Sequence, residues 1–190
     1  MSSLDLKRLT QKVAAMLVLF SGQRAATIAS LEFEGCHLVL DKCEFSITAL
    51  QKTSKIGNHL KKICFDMFDE EPALCVVSHI TRYLDMTNDF RDASRHGAFL
   101  MSFVKPHGAV TVDTVRRWIR GIMTEAGIDC AKFKPHSMRA ASTSSALKVN
   151  PIDEIMGAVG WSSEATVAKH YHKLVKFNFG KSVVAGAYDL

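Results

Sequence analysis

A histidine and an arginine stand three residues apart in the run PHSMRAAS, as His136 and Arg139. Both lie in the stretch from Lys134 to Lys173, KPHSMRAASTSSALKVNPIDEIMGAVGWSSEATVAKHYHK, which also holds Trp161 after a glycine and Tyr171 between two histidines. These residue types suit the handling of a phosphate. Arginine clamps phosphate oxygens through paired N–H donors, which lysine does less well. Histidine shuttles a proton at neutral pH, and a Trp indole N–H can only donate. A Tyr hydroxyl can attack phosphorus and form a covalent phosphotyrosine if a base takes its proton.

Two residues further upstream extend the set. Arg24 supplies a second guanidinium, and Lys52 an ammonium that can protonate a leaving oxygen. Phosphoryl transfer requires neutralised non-bridging oxygens, an in-line nucleophile and a proton for the leaving group. Arg24, Lys52, His136, Arg139, Trp161 and Tyr171 meet those needs with no metal and no cofactor. Singly, each has an ordinary reading: a surface Arg, a solubilising hairpin Lys, a helix-capping His, a packed Trp, a half-buried Tyr. Their combination and order single them out.

The elements that must carry these residues read as mainly helical with one small sheet, an α+β fold. Leu6, Leu9, Val13, Met16, Leu17 and Phe20 recur at helical spacing and predict a helix over 4–20. Ser21 can cap a second helix over 22–32 with Arg24 in its first turn, where the macrodipole disfavours a cation unless an anion is bound. CHLVL (36–40), FSITAL (45–50) and LKKICF (60–65) read as three antiparallel strands, with Lys52 and Lys55 in the hairpin 51–59. A helix is predicted over 73–86, a loop over 87–97, a short strand over 98–103 and a helix over 111–126, with Gly127 just past its end. Trp118 belongs to the core, whereas Arg116, Arg117 and Arg120 lie off the apolar face, where solvent or a DNA backbone could meet them. Pro135 opens a helix over 136–148 with His136 and Arg139 on one face near its positive end. Asn150 is expected to cap a further helix with Pro151 in its first position, ending near Gly157–Gly160. A last helix over 163–175 would carry Tyr171.

Bulk properties narrow the class. With 190 residues and 47% hydrophobic content, the chain can bury one full core, and residues 1–190 are read as one domain. The five cysteines are scattered with no CxxC pair, which fits a reducing compartment and neither a disulfide framework nor a structural zinc. The apolar run 13–20 is too short to span a bilayer, so no membrane partner is expected. Residues 1–102 hold 12 Lys+Arg and 12 Asp+Glu, whereas residues 103–190 hold 12 against 7, so the whole net charge of +5 lies in the C-terminal part. A basic half beside a neutral half points to a polyanion, most simply nucleic acid.

PHSMRAASTSSAL (135–147) resembles the HxxR helix of the tyrosine recombinase (phage integrase) family, and GWSSEATVAKHY (160–171) resembles the family's closing segment. SGQRAATIASLEF (21–33) is similar to its first-arginine helix, and ALQKTSK (49–55) to its lysine hairpin. The resemblance spans essentially the whole chain as a catalytic domain; the family's N-terminal core-binding domain is absent from these residues. It implies the recombinase catalytic-domain fold with a small three-stranded antiparallel sheet, and double-stranded DNA cleaved and rejoined through a 3′-phosphotyrosine without metal or ATP. In that scheme Tyr171 is the nucleophile. Arg24 and Arg139 stabilise the transition state, His136 and Trp161 assist, and Lys52 is the general acid with Lys55 as the alternative. A tetramer on two duplexes is the implied assembly.

Ten residues separate Trp161 from Tyr171, one more than the nine common in the family. The segment 105–129, leading into KPHSMRAAS, resembles recombinases of eukaryotic mobile elements (DIRS-type retrotransposons and Cryptons), which would place the protein in the nucleus; otherwise it would be cytoplasmic or nucleoid-associated. Three other readings stay open: a type IB topoisomerase, a domesticated DNA-binding module that no longer cleaves, and a metal-dependent nuclease. The last would want a carboxylate cluster that the sequence lacks, and His170 and His172 do not share a helix face.

Overall fold

In the computed structural model, residues 5–48, 62–93, 97–161 and 165 are described. The first helix, α1 (Leu6–Ser21), is capped by Asp5, whose side chain accepts from the Arg8 N–H at 2.7 Å, and it ends on Gly22 in the left-handed region. Leu9, Val13, Ala14, Leu17 and Val18 turn a fully buried stripe inward. Helix α1 is the hub of the fold, packing against α3 (Val76–Ala93), α4 (Val112–Glu125), α5 (His136–Ala146) and strand β3 (Lys62–Asp66). Arg8 also reaches across to Glu125 at the end of α4.

Strands β1 (Cys36–Val39), β2 (Lys42–Ser46) and β3 form an antiparallel meander in chain order. Alternation decides which face is which: Cys43, Phe45, Ile63 and Phe65 point into the core. The opposite face carries the ion pairs Lys62–Glu44 (2.7 Å) and Lys42–Asp66 (3.2 Å). Phe45 meets Phe65 and Phe99 edge to face, which ties the sheet to the segment 97–101.

The small sheet and the helices follow the sequence expectation, with five local corrections. The second helix is not 22–32 but α2 (Ala25–Ala29), because Gly22 closes α1 and Arg24 stays extended (φ −77°, ψ 150°). β2 begins at Lys42, not Phe45, because only Leu40 and Asp41 separate the paired Val39 and Lys42, with Leu40 left-handed. The polar run from Thr87 is helical through Ala93, not a loop. The Thr87 hydroxyl donates to the Tyr83 carbonyl (2.8 Å), and Arg91 donates to the carbonyls of Ala98 (3.2 Å) and Phe99 (2.8 Å). These bonds anchor the last turns of α3 on the segment that follows.

The run 98–103 makes only isolated bridges, Glu32–Ala98 and Met101–Ala109, and is not a strand. It buries Phe99, Leu100 and Met101 as an irregular plug, with the Met101 N–H donating to the Tyr83 hydroxyl at 2.9 Å. Asn150 does not cap the next helix, α6 (Ile152–Val159); its side-chain amide donates back to the Ala146 carbonyl, and Pro151 takes the cap position. Trp118 is buried in the main core as expected. A second, smaller cluster gathers Ile155, Val159 and Trp161 with Ala146, Leu147, Ile152 and Met156. The predicted helix 163–175 falls outside the described residues except for Ala165, which is helical.

Tyr83 is fully buried and its hydroxyl satisfies a buried backbone donor. Tyr83→Phe is therefore expected to cost about 1–3 kcal/mol, read as a lower urea midpoint with an unchanged slope. An unchanged midpoint would show that the plug 97–101 does not depend on this bond.

Candidate active site

Arg24 is placed by the turn between α1 and α2. The Ser21 hydroxyl accepts from the Gln23 N–H at 3.2 Å, Gly22 adopts φ +61°, and Arg24 occupies the cap position of α2, half-buried. Glycine is required at position 22 for two reasons. The backbone is left-handed there, and a Cβ would come within 3.1 Å of Val159 Cγ2, tighter than a comfortable contact. Absence of a side chain leaves room for Val159 of α6 beside the end of α1.

His136 opens α5 and is exposed, whereas Arg139, one turn on, is only 4% exposed. The Arg139 guanidinium carbon lies 4.8 Å from the centroid of the Trp161 ring. That contact is a cation–π pair, which strengthens as water is excluded. Trp161 is itself fixed by the end of α6. Gly160 turns left-handed at φ +71°, and the Trp161 N–H donates to the Met156 carbonyl at 2.9 Å.

One cavity of about 1120 Å³ opens where these elements meet, and Arg24, His136 and Arg139 line it. Arg116, Lys134 and Lys148 add charge to its wall, and no carboxylate lines it among the described residues. Val18, Met123, Ile128 and Phe133 give it an apolar part as well. Such a cavity favours an anion, since the fields of its cations sum and no carboxylate among the described lining residues offsets them. No group of three or more His, Cys, Asp or Glu side chains that could hold a metal ion occurs among the described residues.

The six sequence-derived positions divide unevenly. Arg24, His136 and Arg139 share the cavity, whereas Trp161 does not line it and packs against the Arg139 guanidinium. Lys52, Lys55 and Tyr171 lie outside the described residues. Of the three arginines open to DNA contact, Arg120 does not line the cavity, whereas Arg116 does and also bonds Asp113 at 2.8 Å; both partners are exposed, so that pair is weak. Arg117 does not line it and donates to the Thr114 hydroxyl at 3.3 Å. Sequence reasoning passed over Gln23, Lys134 and Lys148 in the cavity wall. Lys134 and Lys148 bracket the helix of His136 and Arg139, a signal that was available. Gln23 gave none beyond its place before Arg24.

The phage integrase family model matches residues 2–176, and the chain belongs to that family. Its fold is the tyrosine recombinase catalytic-domain fold, as the solved structures it resembles make plain. It superposes on the XerH site-specific recombinase bound to difH substrate with a TM-score of 0.65 at 15% identity, covering 96% of this chain and 47% of that one. For the XerA recombinase the TM-score is 0.61 at 19% identity, with coverage of 98% and 61%. For a lambda integrase(75-356) dimer bound to a COC′ core site it is 0.54 at 13% identity, with coverage of 90% and 56%. The chain thus spans about half the length of the structures it matches. No curated protein matches it by sequence.

An anion site makes a direct expectation. Pyrophosphate at low ionic strength should raise the Tm of the wild-type chain, because a ligand that binds only the folded state stabilises it by mass action. Arg24→Gln, at a half-buried turn position, should reduce that rise by at least half. Equal rises in both proteins would place the anion elsewhere.

Proposed function

We propose that residues 1–190 act as the catalytic domain of a site-specific DNA recombinase or integrase that works through a covalent 3′-phosphotyrosine. The observation that carries the reading is the convergence of Arg24, His136 and Arg139, from stretches more than a hundred residues apart, on one cation-walled cavity, with Trp161 stacked on Arg139. Family membership supports it.

In this reading the scissile phosphate enters the cavity, and Arg24 and Arg139 clamp its non-bridging oxygens, which gain negative charge in the transition state. The Tyr171 hydroxyl oxygen bonds to phosphorus as the bond to the 5′ oxygen breaks. His136 helps carry off the tyrosine proton, and Trp161 assists through Arg139, whose guanidinium it packs against. Lys52 gives its proton to the leaving 5′ oxygen, with Lys55 as the alternative donor. Rejoining reverses the steps with a different 5′-hydroxyl, so the covalent link conserves the bond energy and neither ATP nor a metal ion is consumed.

The substrate is double-stranded DNA, and the working assembly is a tetramer on two duplexes. XerH bound to difH and a lambda integrase tetramer bound to a Holliday junction support that extension by family likeness. Similarity of 105–129, leading into KPHSMRAAS, to recombinases of DIRS-type retrotransposons and Cryptons favours a eukaryotic mobile element, hence transposition and a nuclear location.

A nicked suicide DNA duplex, incubated without Mg²⁺, is expected to yield an SDS-resistant protein–DNA adduct that Tyr171→Phe abolishes. An adduct that survives Tyr171→Phe would refute the nucleophile. Tight binding to site-bearing DNA without an adduct would favour a non-cleaving module, and relaxation of arbitrary supercoiled plasmid a type IB topoisomerase. For the acid, Lys52→Ala is expected to block cleavage of the normal 5′-oxygen substrate yet largely spare a 5′-thiolate leaving group, which needs no proton. The same pattern from Lys55→Ala instead would reassign the role.

A further inference from the structure

Gln23 is polar, only 4% exposed, and part of the cavity wall beside Arg24. Its side-chain Nε2 donates to the Val159 carbonyl at 3.1 Å, across 136 residues of sequence. Val159 is the last residue of α6, so its carbonyl has no partner within the helix and requires an outside donor. The bond therefore joins two turns: the one that presents Arg24, and the one that presents Trp161 two residues after Val159. Both turns pivot on left-handed glycines, Gly22 and Gly160. The lack of a side chain at Gly22 leaves room for Val159, since a Cβ there would come within 3.1 Å of its Cγ2. The directional bond from Gln23 sets their relative orientation, which apolar contact alone does not.

We propose that Gln23 is a positioning residue for DNA cleavage, holding Arg24 in register with the Arg139–Trp161 stack so that both guanidinium groups act on one phosphate. The inference rests on the recombinase reading above. A two-arginine clamp is sensitive to such register, since a misplacement of about 1 Å in a reacting geometry can cost a factor on the order of 100. Gln23 touches no reacting atom in this scheme; it acts through Arg24.

Single-turnover cleavage of the suicide duplex tests this, using Gln23→Leu, which keeps apolar bulk and loses the donor. Two versions of the substrate are compared, one with the normal scissile phosphodiester and one with a methylphosphonate there. The methylphosphonate is neutral, so it removes most of the demand on the arginines. The variant is expected to cleave the phosphodiester about 10–100-fold more slowly than wild type, with DNA affinity within about twofold. On the methylphosphonate the two rates should converge. Gln23→Met, longer and flexible but also lacking the donor, takes the place of Gln23→Leu if the latter has lost its cooperative thermal transition. Equal phosphodiester rates would overturn the proposal, as would equal slowing on both substrates, which would mark Gln23 as structural only. Absence of phosphodiester cleavage by the wild-type chain would overturn the recombinase reading and this role with it.

Discussion

Like charges resist being brought together, and this fold gathers Arg24, Arg116, Lys134, Arg139 and Lys148 around one cavity. Two unit charges of the same sign roughly 8 Å apart repel by about 2 kcal/mol at an effective dielectric of 20. The opposing force is the burial of the α1 stripe. Leu9, Val13, Leu17 and Val18 hold α3, α4 and α5 against a single helix, and Gly22 at its end leaves room for Val159 of α6. A basic cavity built on an apolar core in this way holds its cations in place with no anion bound.

The stacking of Arg139 on Trp161 shows how a buried cation is accommodated. A guanidinium is more weakly hydrated than an ammonium and tolerates an aromatic face, so it can sit at the foot of the cavity where a lysine would be far costlier. Trp161 belongs at the same time to the satellite cluster of Ile155 and Val159. The cluster that anchors α6 thus also orients the arginine. Packing and site geometry are coupled through one side chain, and Gln23 couples that side of the cavity to the other.

Legibility in the sequence tracked how local the determining forces were. Helix α4 was readable within a residue at each end because Val115, Trp118, Ile119 and Met123 form an unbroken stripe and Thr111 caps it. The last turns of α3 were misread as a loop because their stabilising bonds go to residues 98 and 99, which no helical pattern records. The run 98–103 was misread as a strand since buried apolar runs look alike whatever their backbone. In the site, His136 and Arg139 declared themselves by spacing, and Arg24 by an awkward charge at a helix start. Gln23 stayed hidden because its partner lies on α6, at the other end of the chain, and a single buried amide makes no pattern. Lys52, Lys55 and Tyr171 rest on the resemblance alone and lie outside the described residues.

A crystal structure of the chain with orthovanadate and a duplex broken at the scissile position would test the shared phosphate site most directly, because vanadate adopts the trigonal-bipyramidal shape of in-line phosphoryl transfer. The expected result is one vanadium in the cavity, with Arg24 and Arg139 on its equatorial oxygens, Trp161 against Arg139, and the Tyr171 oxygen at an apex. Vanadium bound by only one of the two arginines, or with another residue at that apex, would contradict it.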